Sequence, residues 1–103
     1  MLAFLGGTGP EGRGLALRLA LAGEGAIIGS RDAGRAAAAA EELLQLAPGG
    51  RIEGAVNEQA AVDADLVFLT FPYEGQRPVL EQLQASLAGK IVVTVIAPMQ
   101  FQR

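Results

Sequence analysis

The sequence predicts an α/β fold: one domain over residues 1–103, built on a doubly wound parallel sheet of about five strands. Three observations lead there. Short apolar runs alternate with segments of helical pattern. Glycine or proline stands at nearly every junction between them. The apolar runs lie far enough apart for a helix to cross back over the sheet, as parallel strands require.

Leu2-Ala3-Phe4-Leu5 is a continuous apolar run bounded by Gly6-Gly7, the pattern of a strand buried on both faces. Arg13 to Ala22 reads as a helix with Leu15, Leu19 and Ala22 on one face, and with Glu11 and Arg13 free to meet water. Gly23 and Gly25 end it. Ala26-Ile27-Ile28-Gly29 is the second strand. Asp32 suits the N-cap of a helix over Ala33 to about Ala47, where the Ala36–Ala40 run supplies propensity and Leu43, Leu44 and Leu46 an apolar stripe.

Pro48-Gly49-Gly50 stops that helix, and Arg51 to Val56 is a weaker strand. Asn57 is placed to cap a short helix over Glu58 to Val62. Asp65 to Thr70 is the fourth strand, ended by Phe71-Pro72. Pro78 fits the first turn of a helix running to Ala88, and Gly89 its stop. Ile91 to Ile96 is the fifth strand, broken by Pro98. Five strands is one short of the six of a full dinucleotide fold, so a first domain is expected, with a second absent from these residues.

Composition removes several functions. There is no Cys, so no disulfide framework, thiolate zinc site or cysteine nucleophile is available. There is no His, which excludes a Ser-His-Asp triad and an imidazole base. A net charge of −3 argues against nucleic acid, whose phosphates call for surplus Lys and Arg. Met1 to Leu5 is too short for a signal-peptide core, and no run approaches the length of a membrane span. A cytoplasmic location without membrane contact is expected.

Gly7-Thr8-Gly9-Pro10-Glu11-Gly12 matches G-x-G-x-x-G, in the required context after a strand and before a helix. In a Rossmann-like fold, Gly7 allows the tight turn and Gly9 lets the backbone approach a pyrophosphate. Gly12 lets the helix lie close to the strand. The pyrophosphate then sits at a helix N-terminus, where free N–H groups favour anions. Thr8, Pro10 and Glu11 complete the loop.

The end of the second strand discriminates between dinucleotides. An NAD site places an acidic residue there for the ribose 2′-hydroxyl. This chain has Ser30-Arg31, with Arg35 four residues on. A hydroxyl and two guanidinium groups suit a 2′-phosphate, hence NADP. A solvated arginine paired with Asp32 or Glu11 is the bland alternative, and an Asp32 facing the ribose would favour NAD. The short-chain dehydrogenase pattern is excluded. Gly12 and Gly14 fall one residue early for T-G-x-x-x-G-x-G, and Tyr73 is followed by Arg77 where that family needs lysine.

With these residues the chain resembles the NADPH-dependent coenzyme F-420 reductases. Matching stretches are Leu5-Gly6-Gly7-Thr8-Gly9, Gly14 to Ala20, Ile28-Gly29-Ser30-Arg31, Asn57 to Ala61, and Thr70-Phe71-Pro72-Tyr73-Glu74. The resemblance covers nearly the whole chain but about the first half of a family member. It implies hydride transfer between NADP(H) and the deazaflavin coenzyme F-420. It implies pyrophosphate contacts at Thr8 and Gly9, and 2′-phosphate contacts at Ser30, Arg31 and Arg35. It places Phe71, Pro72 and Tyr73 on the nicotinamide side, with Ala97, between Ile96 and Pro98, at the corresponding edge. The second domain of the family helps form the deazaflavin pocket and a homodimer.

Pro10 and Glu11 depart from the family pattern, and Glu11 is expected to face solvent so as not to repel a pyrophosphate. Hydride transfer needs no protein proton carrier, so no catalytic residue and no metal site are assigned. Two rival readings stay open. One is a reductase with another acceptor, a ferric ion or an imine. The other is a non-catalytic NADP-binding module. An exposed apolar surface near Ile91–Phe101 is expected wherever a second domain or partner docks.

Overall fold

The computed structural model describes residues 1–70 and 76–95. Its elements run β1 (Leu2–Leu5), α1 (Pro10–Leu21), β2 (Ala26–Ser30), α2 (Ala33–Leu46), β3 (Ile52–Val56), α3 (Asn57–Asp63), β4 (Leu66–Leu69), α4 (Gln76–Gln82), α5 (Gln84–Leu87) and β5 (Ile91–Thr94). The five strands form one sheet in the order β3-β2-β1-β4-β5. Every neighbouring pair is parallel. This is the expected doubly wound, Rossmann-like arrangement.

Strand residues alternate between two buried layers. Phe4 and Ile28 face α1 and α2, meeting Ala16, Ala20, Ala39, Ala40 and Leu43. Ala3, Leu5, Ile27, Val67 and Leu69 face the other way, meeting Ala60, Ala61 and Ala64 of the α3 region and Leu83 between α4 and α5. Alanine dominates the helix side of both layers, so the helices can lie close to the sheet. Phe4 and Phe68 are register partners on β1 and β4, and their rings stack with centroids 5.0 Å apart.

Several details differ from the sequence expectation. Helix α1 starts at Pro10, not Arg13, because proline's fixed φ and missing N–H suit a first helical position. Its buried face is Gly12, Ala16 and Ala20. Leu15 and Leu19 lie half-buried at the margin of that layer, and Ala22 is exposed past the helix end. On α2 the buried face is Ala36, Ala39, Ala40 and Leu43, while Leu46 is 64% exposed. The helix expected from Pro78 to Ala88 is two pieces. Leu83, with φ −100° and ψ 11°, breaks it and drops its side chain into the core.

Strand β5 ends at Thr94, and Ile96 lies outside the described residues. All four β5 residues are exposed, Ile91 by 68%. The expected exposed apolar surface is therefore present over Ile91–Val93. Among the described residues, no helix is long and apolar enough to cross a membrane.

The order β3-β2-β1-β4-β5 fixes where a ligand can bind. From β1 the chain winds toward β2 and β3, and from β4 toward β5. Connections leave the carboxyl ends of β1 and β4 in opposite directions, which opens a crevice between them. The glycine loop follows β1, and Thr70 follows β4.

Candidate cofactor-binding site

The glycine loop is closed on its inner side. An added Cβ on Gly7 would lie 2.5 Å from the Phe4 carbonyl oxygen. One on Gly12 would lie 2.6 Å from Gly7 Cα and 2.7 Å from Thr70 Oγ1. Gly12 thus lets α1 lie directly on the loop and on the end of β4. Buried Thr70 closes this corner: its hydroxyl donates to the Leu5 carbonyl at 2.8 Å and its N–H to the same oxygen at 3.1 Å.

The outer side is open. Among the described residues, a Cβ on Gly9 would meet nothing within 4 Å. Gly9 is the N-cap of α1, and no side chain among the described residues caps that helix end. The Gly9 carbonyl accepts the Arg13 N–H at 3.0 Å, the first bond of the helix. Amides of the first turn are left without a side-chain acceptor, the condition for anion binding. Thr8 is half-buried, whereas Pro10 and Glu11 are exposed, as expected for Glu11. Arg13 is half-buried and pairs with Glu42 of α2, joining α1 to α2.

The end of β2 lies against this loop. The Gly7 N–H donates to the Gly29 carbonyl at 2.9 Å, one residue before Ser30. Ser30 is buried, and its Oγ accepts the Asp32 N–H at 3.2 Å. Asp32 caps α2 as expected: Oδ1 accepts the N–H groups of Gly34 at 2.8 Å and Arg35 at 3.2 Å. That oxygen is committed to the helix and is not turned to a ribose.

Arg31 and Arg35 are both exposed. Neither lies within ion-pair distance of a carboxylate among the described residues, so the alternative pairing with Asp32 or Glu11 is not formed. Arg31 lines a cleft of about 200 Å³ with Asn57, Glu58, Gln82 and Leu83. A second hollow, of about 300 Å³, lies where α1 and α2 end, lined by Gly23, Glu24, Pro48 and Gly49. It is at the opposite end of the strands and, among the described residues, contains none of the expected site residues.

The structure thus brings Gly7, Thr8, Gly9, Pro10, Glu11, Gly12, Ser30, Arg31 and Arg35 to one edge of the sheet. Phe71, Pro72, Tyr73 and Ala97 lie outside the described residues. Asn57 is a correction. It does not cap α3, whose N-cap is Val56; its Oδ1 accepts the Gly6 N–H at 3.3 Å. A polar residue at a strand-to-helix junction signals a cap in the sequence, and nothing local reveals a partner fifty-one positions away.

Residues 1–98 match the family model described as NADP oxidoreductase, coenzyme F420-dependent. The chain belongs to this family. It is 44% identical over 99 residues to an F420-dependent NADP reductase of Methanothermobacter marburgensis, covering 94% of this chain and 44% of the relative. It is 45% identical over 101 residues to the F420-dependent NADP reductase of Methanothermobacter thermautotrophicus, covering 94% and 43%. The chain therefore spans less than half the length of these family members.

Among solved structures, the fold matches a minor L-lactate dehydrogenase from Enterococcus mundtii with a TM-score of 0.73 at 22% identity. That match covers 94% of this chain and 37% of the dehydrogenase. A lactate dehydrogenase from Eimeria maxima, solved with NADH and oxamate, matches with a TM-score of 0.67 at 16% identity, over 94% of this chain and 36% of that one. At such identities these likenesses concern the fold alone.

Proposed function

We propose that these residues form the NADP-binding domain of an oxidoreductase that moves a hydride between NADP(H) and the deazaflavin coenzyme F-420. The observation that carries this reading is one continuous edge: an uncapped helix N-terminus beside an open Gly9, joined through Gly29 to Ser30, Arg31 and Arg35. The relatives named F420-dependent NADP reductases support the choice of both cofactors.

In this reading Gly7, Thr8, Gly9, Pro10, Glu11 and Gly12 surround the pyrophosphate. Ser30, Arg31 and Arg35 hold the 2′-phosphate. With Asp32 Oδ1 committed to the α2 cap, the end of β2 presents guanidinium groups where an NAD site presents a carboxylate. The family resemblance adds Phe71, Pro72, Tyr73 and Ala97 on the nicotinamide side. The bound nicotinamide supplies or accepts the hydride; the protein's part is to fix its orientation and keep water away. The longer family protein is read as a cytoplasmic homodimer with small-molecule cofactors and no nucleic-acid partner.

Titration of the chain with NADPH and NADH, repeated on Arg31→Ala, tests the site. A guanidinium bonded to phosphate is worth about 1.5–3 kcal/mol, so NADPH affinity should fall roughly 10- to 100-fold while NADH binding barely changes. Equal affinity for both cofactors, or none for either, overturns the 2′-phosphate assignment. Once NADPH binds, hydride transfer on adding F-420 separates the reductase from a non-catalytic NADP-binding module.

A further inference from the structure

Asn57 opens α3 yet leaves that helix uncapped, and it is 7% exposed. Its carboxamide is turned back across the sheet edge, where Oδ1 accepts the Gly6 N–H at 3.3 Å. A second observation shows that room is reserved for it. A Cβ on Gly29 would lie 2.7 Å from the same oxygen, so the carboxamide occupies the space left open by the glycine before the last residue of β2.

Gly6 is where the chain turns out of β1, with φ at 69°, in the left-handed region. The next amide, Gly7 N–H, is held by the Gly29 carbonyl at 2.9 Å. The first two amides of the loop are thus fixed by β2 and by the β3–α3 junction. A glycine-rich loop loses much conformational entropy when it is ordered. Ordering it within the protein removes that cost from ligand binding. The same Asn57 also lines the cleft beside Arg31, so one residue joins the loop to the cleft.

We infer that Asn57 is a positioning residue for the dinucleotide: it holds Gly6, and through it the pyrophosphate loop, in register with the Arg31 cleft before ligand arrives. This rests on the nucleotide reading above and goes beyond it, since a cap residue would have no effect on the loop.

The experiment compares the wild-type chain with Asn57→Ala and Asn57→Asp. It reads NADPH affinity, thermal stability and the hydrogen-exchange rate of the Gly6 amide, at a temperature where each variant is folded. Asn57→Ala should weaken NADPH about five- to tenfold, the worth of one hydrogen bond, and speed Gly6 exchange. Asn57→Asp keeps an acceptor in place and should leave Gly6 protected. If wild type binds NADPH and Asn57→Ala binds it equally well, the inference is overturned and the nucleotide site stands. If wild type does not bind NADPH, both fall. Should Asn57→Ala not fold, the aspartate variant decides: retained Gly6 protection supports the inference, and exchange as fast as in a free loop overturns it.

Discussion

Two glycines three residues apart in one motif meet opposite surroundings. Gly12 is buried with backbone on one side and a hydroxyl on the other, both closer than any Cβ tolerates. Gly9 faces open space, with an extended φ of −80° that any residue can adopt. Neither needs left-handed freedom. The inner glycine is there for packing within the protein. The outer one has open space beside it among the described residues, which suits close approach by something from outside. One pattern of letters therefore combines a folding constraint with a binding constraint, and substitution can separate them.

The largest expected effect is on the inner side. Gly12→Ala forces a methyl against Gly7 Cα and Thr70 Oγ1, and backbone cannot swing aside as a flexible side chain would. Overpacking of this kind costs about 1–3 kcal/mol. For a domain of this size that lowers Tm by roughly 5–20 °C in a thermal melt. A Tm within about 2 °C of wild type would show that α1 can shift off the loop, and the distinction between the two sides would collapse.

Gly9→Ala is the complementary change. Its methyl meets no atom of the described residues within 4 Å, so stability should move by less than about 1 kcal/mol. NADPH affinity should nevertheless fall about tenfold, because the methyl occupies the space into which a pyrophosphate must come. Unchanged affinity alongside unchanged Tm would place the phosphate elsewhere along the edge.

The inner and outer roles were unequally legible in the sequence. Short apolar runs ended by glycine located β1 and β2, which are buried on both faces, and the spacing of the remaining runs located β3, β4 and the exposed β5. The Asp32 cap was readable too, because its partners lie two and three residues away. What escaped were features decided by distant contacts. The buried stripe of α1 runs through Gly12, Ala16 and Ala20, not its leucines, because the helix lies too close to the sheet for larger side chains. The expected long helix breaks at Leu83, whose burial beneath α3 outweighs helical continuity. Asn57 looked like a cap because that role is local, while its bond to Gly6 exists only once β3 is laid beside β2 and β2 beside β1. Ser30 and Arg31 could be named from position alone, yet only the structure shows Asp32 Oδ1 engaged by the first turn of α2.

The smallest expected effect concerns Glu11, exposed in the first turn of α1 two residues after Gly9. A carboxylate there stabilises the helix through its dipole and, by the same field, opposes an incoming phosphate. The two consequences have opposite sign and can be measured on one variant. Glu11→Gln should lower stability by about 0.3–1 kcal/mol at low salt. It should also tighten NADPH about two- to threefold, the scale of a unit charge acting through water at about 10 Å. Both changes should shrink together at high salt, where the screening length falls to about 3 Å at 1 M. A loss of stability with no gain in affinity would mean that the pyrophosphate does not come to this end of α1, and the open side of the motif would have to be explained without a ligand.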